Sequence, residues 1–171
     1  MTIELAVAEA ADAPAMCGVL GRAADDLTAR YGKGHWSHGP SEPGVLRAIR
    51  TCRVLVARDG GTTVGTLALA TKKPWAIDRA YFQPSKRPLY LIDMAVDPDH
   101  QGRGVGRALI EEAKNVARSW PADAIWLDAY DFEGGAGEFY ARCGFREVGR
   151  VTYRKTPLIY YEWRVEDGAA P

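Results

Sequence analysis

LYLIDMAVDPDHQGRGVGR, residues 89–107, runs from an apolar stretch through an Asp-Pro turn into a glycine-rich loop and a helix start. Residues 89–96 read as a strand with few exposed positions, so one inside a sheet, ended by Asp97-Pro98. From Gly104 to Trp120 the apolar positions take helical spacing: Val105, Leu109, Ala113, Val116 and Ala117 share an inner face, while Arg107, Glu111, Lys114 and Arg118 face outward. Pro121 closes the helix. Residues 124–130 are a second apolar strand, and strand, helix and strand in this order predict a parallel pair joined by a right-handed crossover.

Outward from this unit the signals stay local. Residues 2–8 alternate as a short strand, and Asp12 ahead of Ala13-Pro14 starts a helix whose Met16, Val19, Leu20, Ala23, Ala24 and Leu27 recur at helical spacing until Tyr31-Gly32. A loop leads to a brief helix from Ser41 or Glu42, with Val45, Leu46 and Ile49 on one side. Residues 53–58 and 63–70 form an antiparallel pair about Asp59-Gly60-Gly61. Residues 72–88 break both periodicities, and their aromatics Trp75, Tyr81 and Phe82 predict an insertion that packs onto the domain, with one helical turn. A short helix at 135–143 ends at Gly144, and residues 145–153 and 158–165 alternate as a terminal hairpin.

Composition bounds the class. A chain of 171 residues with 47% hydrophobic content suits one domain, 1–166, with a flexible tail at 167–171. Twenty-two basic and 22 acidic residues balance, so no global pull toward nucleic acid or an anionic membrane is implied. Cys17, Cys52 and Cys143 are odd in number and unpaired in spacing, which argues against disulfides and a zinc cluster and for reducing cytoplasm. The N-terminus lacks a signal-peptide pattern, and no apolar run approaches the roughly 18 residues of a membrane span, so a soluble protein is expected.

Gly102, Gly104 and Gly106 surround Arg103 where a strand feeds a helix, and Arg107 follows in that helix. Backbone N–H groups can there approach a phosphate at the positive helix end, although such glycines also serve plain turns. A P-loop would need Gly-Lys-Ser or Gly-Lys-Thr, which is absent, and a dinucleotide fingerprint would need glycine where Arg107 stands, although Asp128 lies at a suitable distance for a ribose.

Gln101-Gly102-Arg103-Gly104-Val105-Gly106 resembles the acetyl-CoA pyrophosphate loop of the GCN5-related N-acetyltransferase (GNAT) superfamily, and LIDMAVDPDHQ before it and FYARCGFREVG after it are similar to that family in order and separation. The resemblance implies a mixed α+β fold: a central, mostly antiparallel twisted sheet with splayed parallel central strands, flanked by helices. It implies an acetyl-CoA-dependent N-acetyltransferase, in which a primary amine of a small molecule or peptide attacks the thioester directly. A non-catalytic acyl-CoA-binding sensor or interaction module is the alternative. Nucleic acid and membrane are not implied as partners, and a homodimer is left open.

By the same resemblance Met94, Ala95 and Val96 would pair with the pantetheine arm and polarise the thioester carbonyl, and Gln101, Gly102, Arg103, Gly104, Val105, Gly106 and Arg107 would hold the pyrophosphate. Arg103 and Arg107 also read as solvated side chains. Tyr140 stands where the family's phenol protonates the departing thiolate, or else it packs beside Phe139. Asp131 replaces an Asn common in the family, and a carboxylate cannot donate as that amide does. A base must deprotonate the incoming ammonium, and Asp93, Asp128, Asp131 and Glu162 are the carboxylates near the sheet centre. Asp93 is favoured because an acid in an apolar strand demands a structural or catalytic reason. Against it, alternation puts Tyr90, Ile92, Met94 and Val96 on the opposite face, and some members carry their base at the Tyr90 position. Tyr31, Trp36 and Asp128 are candidates for the acceptor side. His35, His38 and His100 have no ligand cluster around them, so no metal is expected. Cys143 reads as packing.

Overall fold

The structure is a computed structural model that describes residues 1–168. The chain forms two compact units, one of Met1–Ala70 and Ile92–Ala113, the other of Thr71–Leu91 and the chain from Lys114 onward.

The first unit holds β1 (Ile3–Val7), α1 (Ala13–Tyr31), α2 (Glu42–Thr51), β2 (Arg53–Asp59) and β3 (Thr62–Ala70). It also holds the second half of β4 (Pro88–Val96) and most of α3 (Val105–Ser119). β1, β2 and β3 pair antiparallel, with Gly60 and Gly61 at φ 55° and 82° supplying the left-handed turn between β2 and β3. Pro14 sits in the first turn of α1 as expected, and Gly32, at φ 80°, ends the helix. Asp12 precedes α1, but its carboxylate accepts from the Glu9 N–H at 2.8 Å and from Arg58 at 2.6 Å and leaves the helix N–H groups alone. Ser41 does cap α2, accepting from the Gly44 N–H at 3.2 Å. Ala13, Met16, Val45, Val54, Val56 and Ala68 close the core between these helices and strands.

The second unit holds the first half of β4, the end of α3, β5 (Ala124–Tyr130), α4 (Gly137–Arg142), β6 (Arg146–Tyr153) and β7 (Thr156–Arg164). Pro88, Leu89 and Tyr90 pair parallel with Ala124, Ile125 and Trp126, as the crossover rule requires, whereas β5–β7 and β6–β7 are antiparallel. Because β4 belongs to both units, the strand order is β1-β2-β3-β4-β5-β7-β6. The fold is therefore mixed α+β, with one parallel pair in a mostly antiparallel set.

The insertion does pack, through Phe82, which stacks on Trp126 at 4.4 Å, and through Tyr81, which lies edge-on to Tyr160 at 5.4 Å. Its helical turn is the 3-10 segment Arg79–Tyr81. Two expectations are corrected. Trp75 is 84% exposed and packs on nothing large enough to cover it. Lys114 is buried, because its ammonium reaches the Cys143 carbonyl at 2.7 Å and lies over the Trp163 ring. Val165–Gly168 form a 3-10 turn, and residues 169–171 of the expected tail lie outside the described residues.

Candidate active site

In the first unit the centre is a break in β4. Asp93 has φ 51°, a left-handed conformation inside a strand, which Asp tolerates better than most side chains. The residue keeps an exposed surface, yet the protein atoms around it desolvate its carboxyl and raise it above the ordinary carboxylate range. Met94, Ala95 and Val96 follow, each partly exposed. Past the break, the Asp97 N–H returns to the Val64 carbonyl of β3 at 2.8 Å.

The glycine loop is tied to β4 at its entry and to α3 at its exit. At its entry the Gln101 amide nitrogen donates to the Val96 carbonyl at 3.3 Å. At its exit Gly104 accepts from the Ala108 N–H at 2.9 Å and so begins α3. Gly102 and Gly104 are at φ 72° and 88°, conformations that require glycine, and nothing stands within 4 Å of where their side chains would be. Arg103 and Arg107 are exposed. Beneath the loop, a Cβ on Gly65 would come within 2.9 Å of Val105 and 3.0 Å of Leu109, and within 3.4 Å of the Ala95 carbonyl. The missing side chain lets α3 begin against β3, so its free N–H groups emerge beside residues 94–96. Open backbone, a helix N-terminus and two basic side chains suit an anionic phosphate.

In the second unit Tyr140 on α4 is buried among Phe145, Phe139 and Tyr161. Burial, then the nearby Asp128 charge, push its phenol far above the ordinary value. The phenol thus stays neutral and keeps its proton at physiological pH. Asp128 on β5 is itself half-buried and raised by desolvation. Its cross-strand neighbour Tyr160 donates to the Ala76 carbonyl and accepts from the Asp78 N–H at 3.1 Å, which clamps the insertion onto this face. Gly137 lets the Tyr161 hydroxyl approach α4, since a Cβ there would lie 2.7 Å away.

Two of the four sequence-derived carboxylates are committed elsewhere. Glu162 is 2% exposed and is held by Trp126 Nε1 at 2.8 Å, Arg146 at 3.2 Å and Arg164 at 3.5 Å. Asp131 pairs with Arg150 at 3.3 Å, which gives the acid at this position a structural partner that an amide would lack. The Tyr90 hydroxyl is buried and accepts from Arg79 at 3.3 Å. Trp36 folds back on its own loop, with Nε1 donating to the Gly32 carbonyl at 3.1 Å, and Tyr31 lies under Arg30. His35 and His38 are exposed, and no group of three or more metal-binding side chains assembles among the described residues. Sequence reasoning missed Arg79, which caps the Trp126 ring at 5.2 Å and bonds Tyr90. It also missed Asp97 and Gly65, whose partners come from distant chain.

A family model described as the acetyltransferase (GNAT) family matches residues 22–145, well over half of the chain. The chain belongs to this family. Among curated relatives, the N-alpha-acetyltransferase RimI of Mycobacterium tuberculosis is 32% identical over 66% of this chain and 65% of its own. The streptothricin acetyltransferase of Streptomyces lavendulae is 36% identical over 36% of this chain and 32% of its own. The chain thus spans about a third to two thirds of the length of these relatives. Among solved structures, yncA from Salmonella typhimurium with its cofactor acetyl-CoA superposes with a TM-score of 0.70 at 18% identity, over 100% of this chain and 98% of that one. That likeness supports the GNAT fold of the chain. No helix among the described residues is long and apolar enough to cross a membrane.

Proposed function

We propose that this protein is an acetyl-CoA-dependent N-acetyltransferase that passes the acetyl group directly to a primary amine. The observation that carries the reading is the broken strand β4 leading into a loop of two left-handed glycines at the start of α3, inside the span of the family match. The amides of residues 101–107 hold the pyrophosphate of acetyl-CoA, with Arg103 and Arg107 adding charge, and the freed backbone of Met94, Ala95 and Val96 takes the pantetheine arm. Asp131 stands beside that arm, with its carboxylate held by Arg150 and its N–H by the Pro157 carbonyl. We propose residues 1–166 as one catalytic domain, acting in the cytoplasm; the family match, whose span takes in residues of both units, supports the single domain.

In the reaction the amine nitrogen attacks the thioester carbonyl carbon, and the C–S bond breaks as the amide forms. The departing thiolate takes the Tyr140 hydroxyl proton, which solvent restores. The proton lost by the ammonium goes to a carboxylate. Asp93 and Asp128 are the two whose affinity for protons is raised by desolvation, the direction a base needs, and Asp128 has the further support that its charge acts on Tyr140. A cationic acceptor suits these carboxylates. Relatives named as a ribosomal protein bS18 alanine N-acetyltransferase and as a streptothricin acetyltransferase support both peptide and small-molecule amines, with Tyr31, Trp36 and Asp128 on the acceptor side. Acetylation of a panel of amines, read by thiol release, tests the reading. Acetyl-CoA binding without product across that panel would favour a sensor, and no binding would remove both.

A further inference from the structure

Asp97 has no part in the chemistry above, yet it is one of few buried acids, 5% exposed, and it stands four residues before the phosphate loop. One of its oxygens takes the Arg22 guanidinium, from Nη2 at 2.5 Å and Nε at 2.6 Å. The other takes the Asp99 N–H at 3.0 Å and His100 Nδ1 at 3.3 Å. Its own N–H is bonded to Val64 of β3, and its carbonyl accepts from the His100 N–H at 2.8 Å. One residue therefore ties α1, β3 and the 3-10 turn Pro98–His100, and that turn delivers Gln101. Burial pushes the carboxyl up, but the bonds from Arg22, Asp99 and His100 overcome it and hold Asp97 ionised.

An ion pair with one buried and one half-exposed member adds little net stability, so its worth lies in fixing geometry. We propose that Asp97, oriented by Arg22, is a positioning residue for the phosphate loop: it sets the direction in which the amides of residues 101–107 point and so tunes affinity for the phosphate end of acetyl-CoA. The proposal rests on the acetyltransferase reading and goes beyond it. Arg22 is half exposed and 75 positions away, so α1 acts on the donor site through one carboxylate.

The test compares two donors, acetyl-CoA and S-acetylpantetheine, which keeps the thioester arm but has no pyrophosphate. Asp97→Asn and Arg22→Gln should each raise the KM for acetyl-CoA about tenfold, the scale of one lost charge-assisted hydrogen bond. The kcat at saturating acetyl-CoA, and kcat/KM with S-acetylpantetheine, should stay near wild type. Arg22→Gln removes a partly exposed side chain and keeps the test open if Asp97→Asn fails to fold. Equal losses with both donors would show a merely structural role and overturn the proposal, as would unchanged acetyl-CoA kinetics in both variants. Wild-type protein that binds no acetyl-CoA would instead overturn the acetyltransferase reading, and this proposal with it.

Discussion

Adding one methyl group at Gly65 should disturb the donor site from beneath. The new Cβ would lie 2.9 Å from Val105 Cγ1 and 3.0 Å from Leu109 Cδ1, where carbon atoms in contact prefer about 3.5–4.0 Å. Val105 is β-branched and stiff, Leu109 is fully buried, and the Ala95 carbonyl blocks the third side at 3.4 Å. The first turn of α3 must then move away from β3 by roughly 0.5–1 Å. Overpacking of this kind costs about 1–3 kcal/mol. The same shift moves the N–H groups offered to the pyrophosphate, so Gly65→Ala should lower Tm by several degrees and weaken acetyl-CoA binding about tenfold or more, on the scale of one charge-assisted hydrogen bond. Thermal melts and isothermal titration measure the two effects. Wild-type acetyl-CoA affinity in a Gly65→Ala protein would refute the claim that α3 is positioned through this glycine.

Further outcomes follow from the candidate catalytic groups and from Lys114. Tyr140→Phe keeps the buried ring and should lower kcat about 10²–10⁴-fold with acetyl-CoA affinity nearly intact, measured by thiol release; unchanged turnover would remove Tyr140 from the mechanism. Asp128→Asn should lower kcat/KM on a similar scale, and in the wild type the rate should fall as pH drops through a value above the ordinary carboxylate range. Because folding raises the Asp128 carboxyl, its contribution to stability is present at low pH and lost as pH rises through the folded value. Asp128→Asn should therefore match or exceed wild-type Tm at neutral pH, with the gain fading in acid. If Asp93→Asn abolishes the acid limb and Asp128→Asn leaves it, the base is Asp93. Lys114→Met should lower Tm, because it removes the ammonium's hydrogen bond to the Cys143 carbonyl, worth about 1.5–3 kcal/mol for a charged donor.

Sequence signals that act over a few residues were legible: the Asp-Pro stop, the glycine loop, the helical spacing of α3 and the two hairpins. What escaped depends on distant partners. Alternation along β4 placed Asp93 opposite Met94 and Val96, but a left-handed residue resets the parity of a strand, so the facing argument fails beyond it. The same conformation gives the acid a structural reason to be there, beside any catalytic one. Lys114 fell on the outer side by periodicity, and the Cys143 carbonyl, 29 positions on, and the Trp163 ring explain its burial. Glu162 looked available as a base until Trp126, Arg146 and Arg164 were seen to hold it. Asp97 looked like a strand end, since Arg22 is far from it in sequence.

The central claim is that the Gly102–Gly104 loop at the start of α3 holds the phosphates of acetyl-CoA. Isothermal titration with acetyl-CoA tests it most directly, on wild type and on Gly104→Ala, which forces a side chain onto a residue at φ 88°. The account predicts one-site binding by the wild type and a loss of at least tenfold in the variant, from about 1–2 kcal/mol of left-handed strain together with displaced amides. No binding by wild-type protein at millimolar acetyl-CoA, or equal affinity in the two proteins, would contradict it.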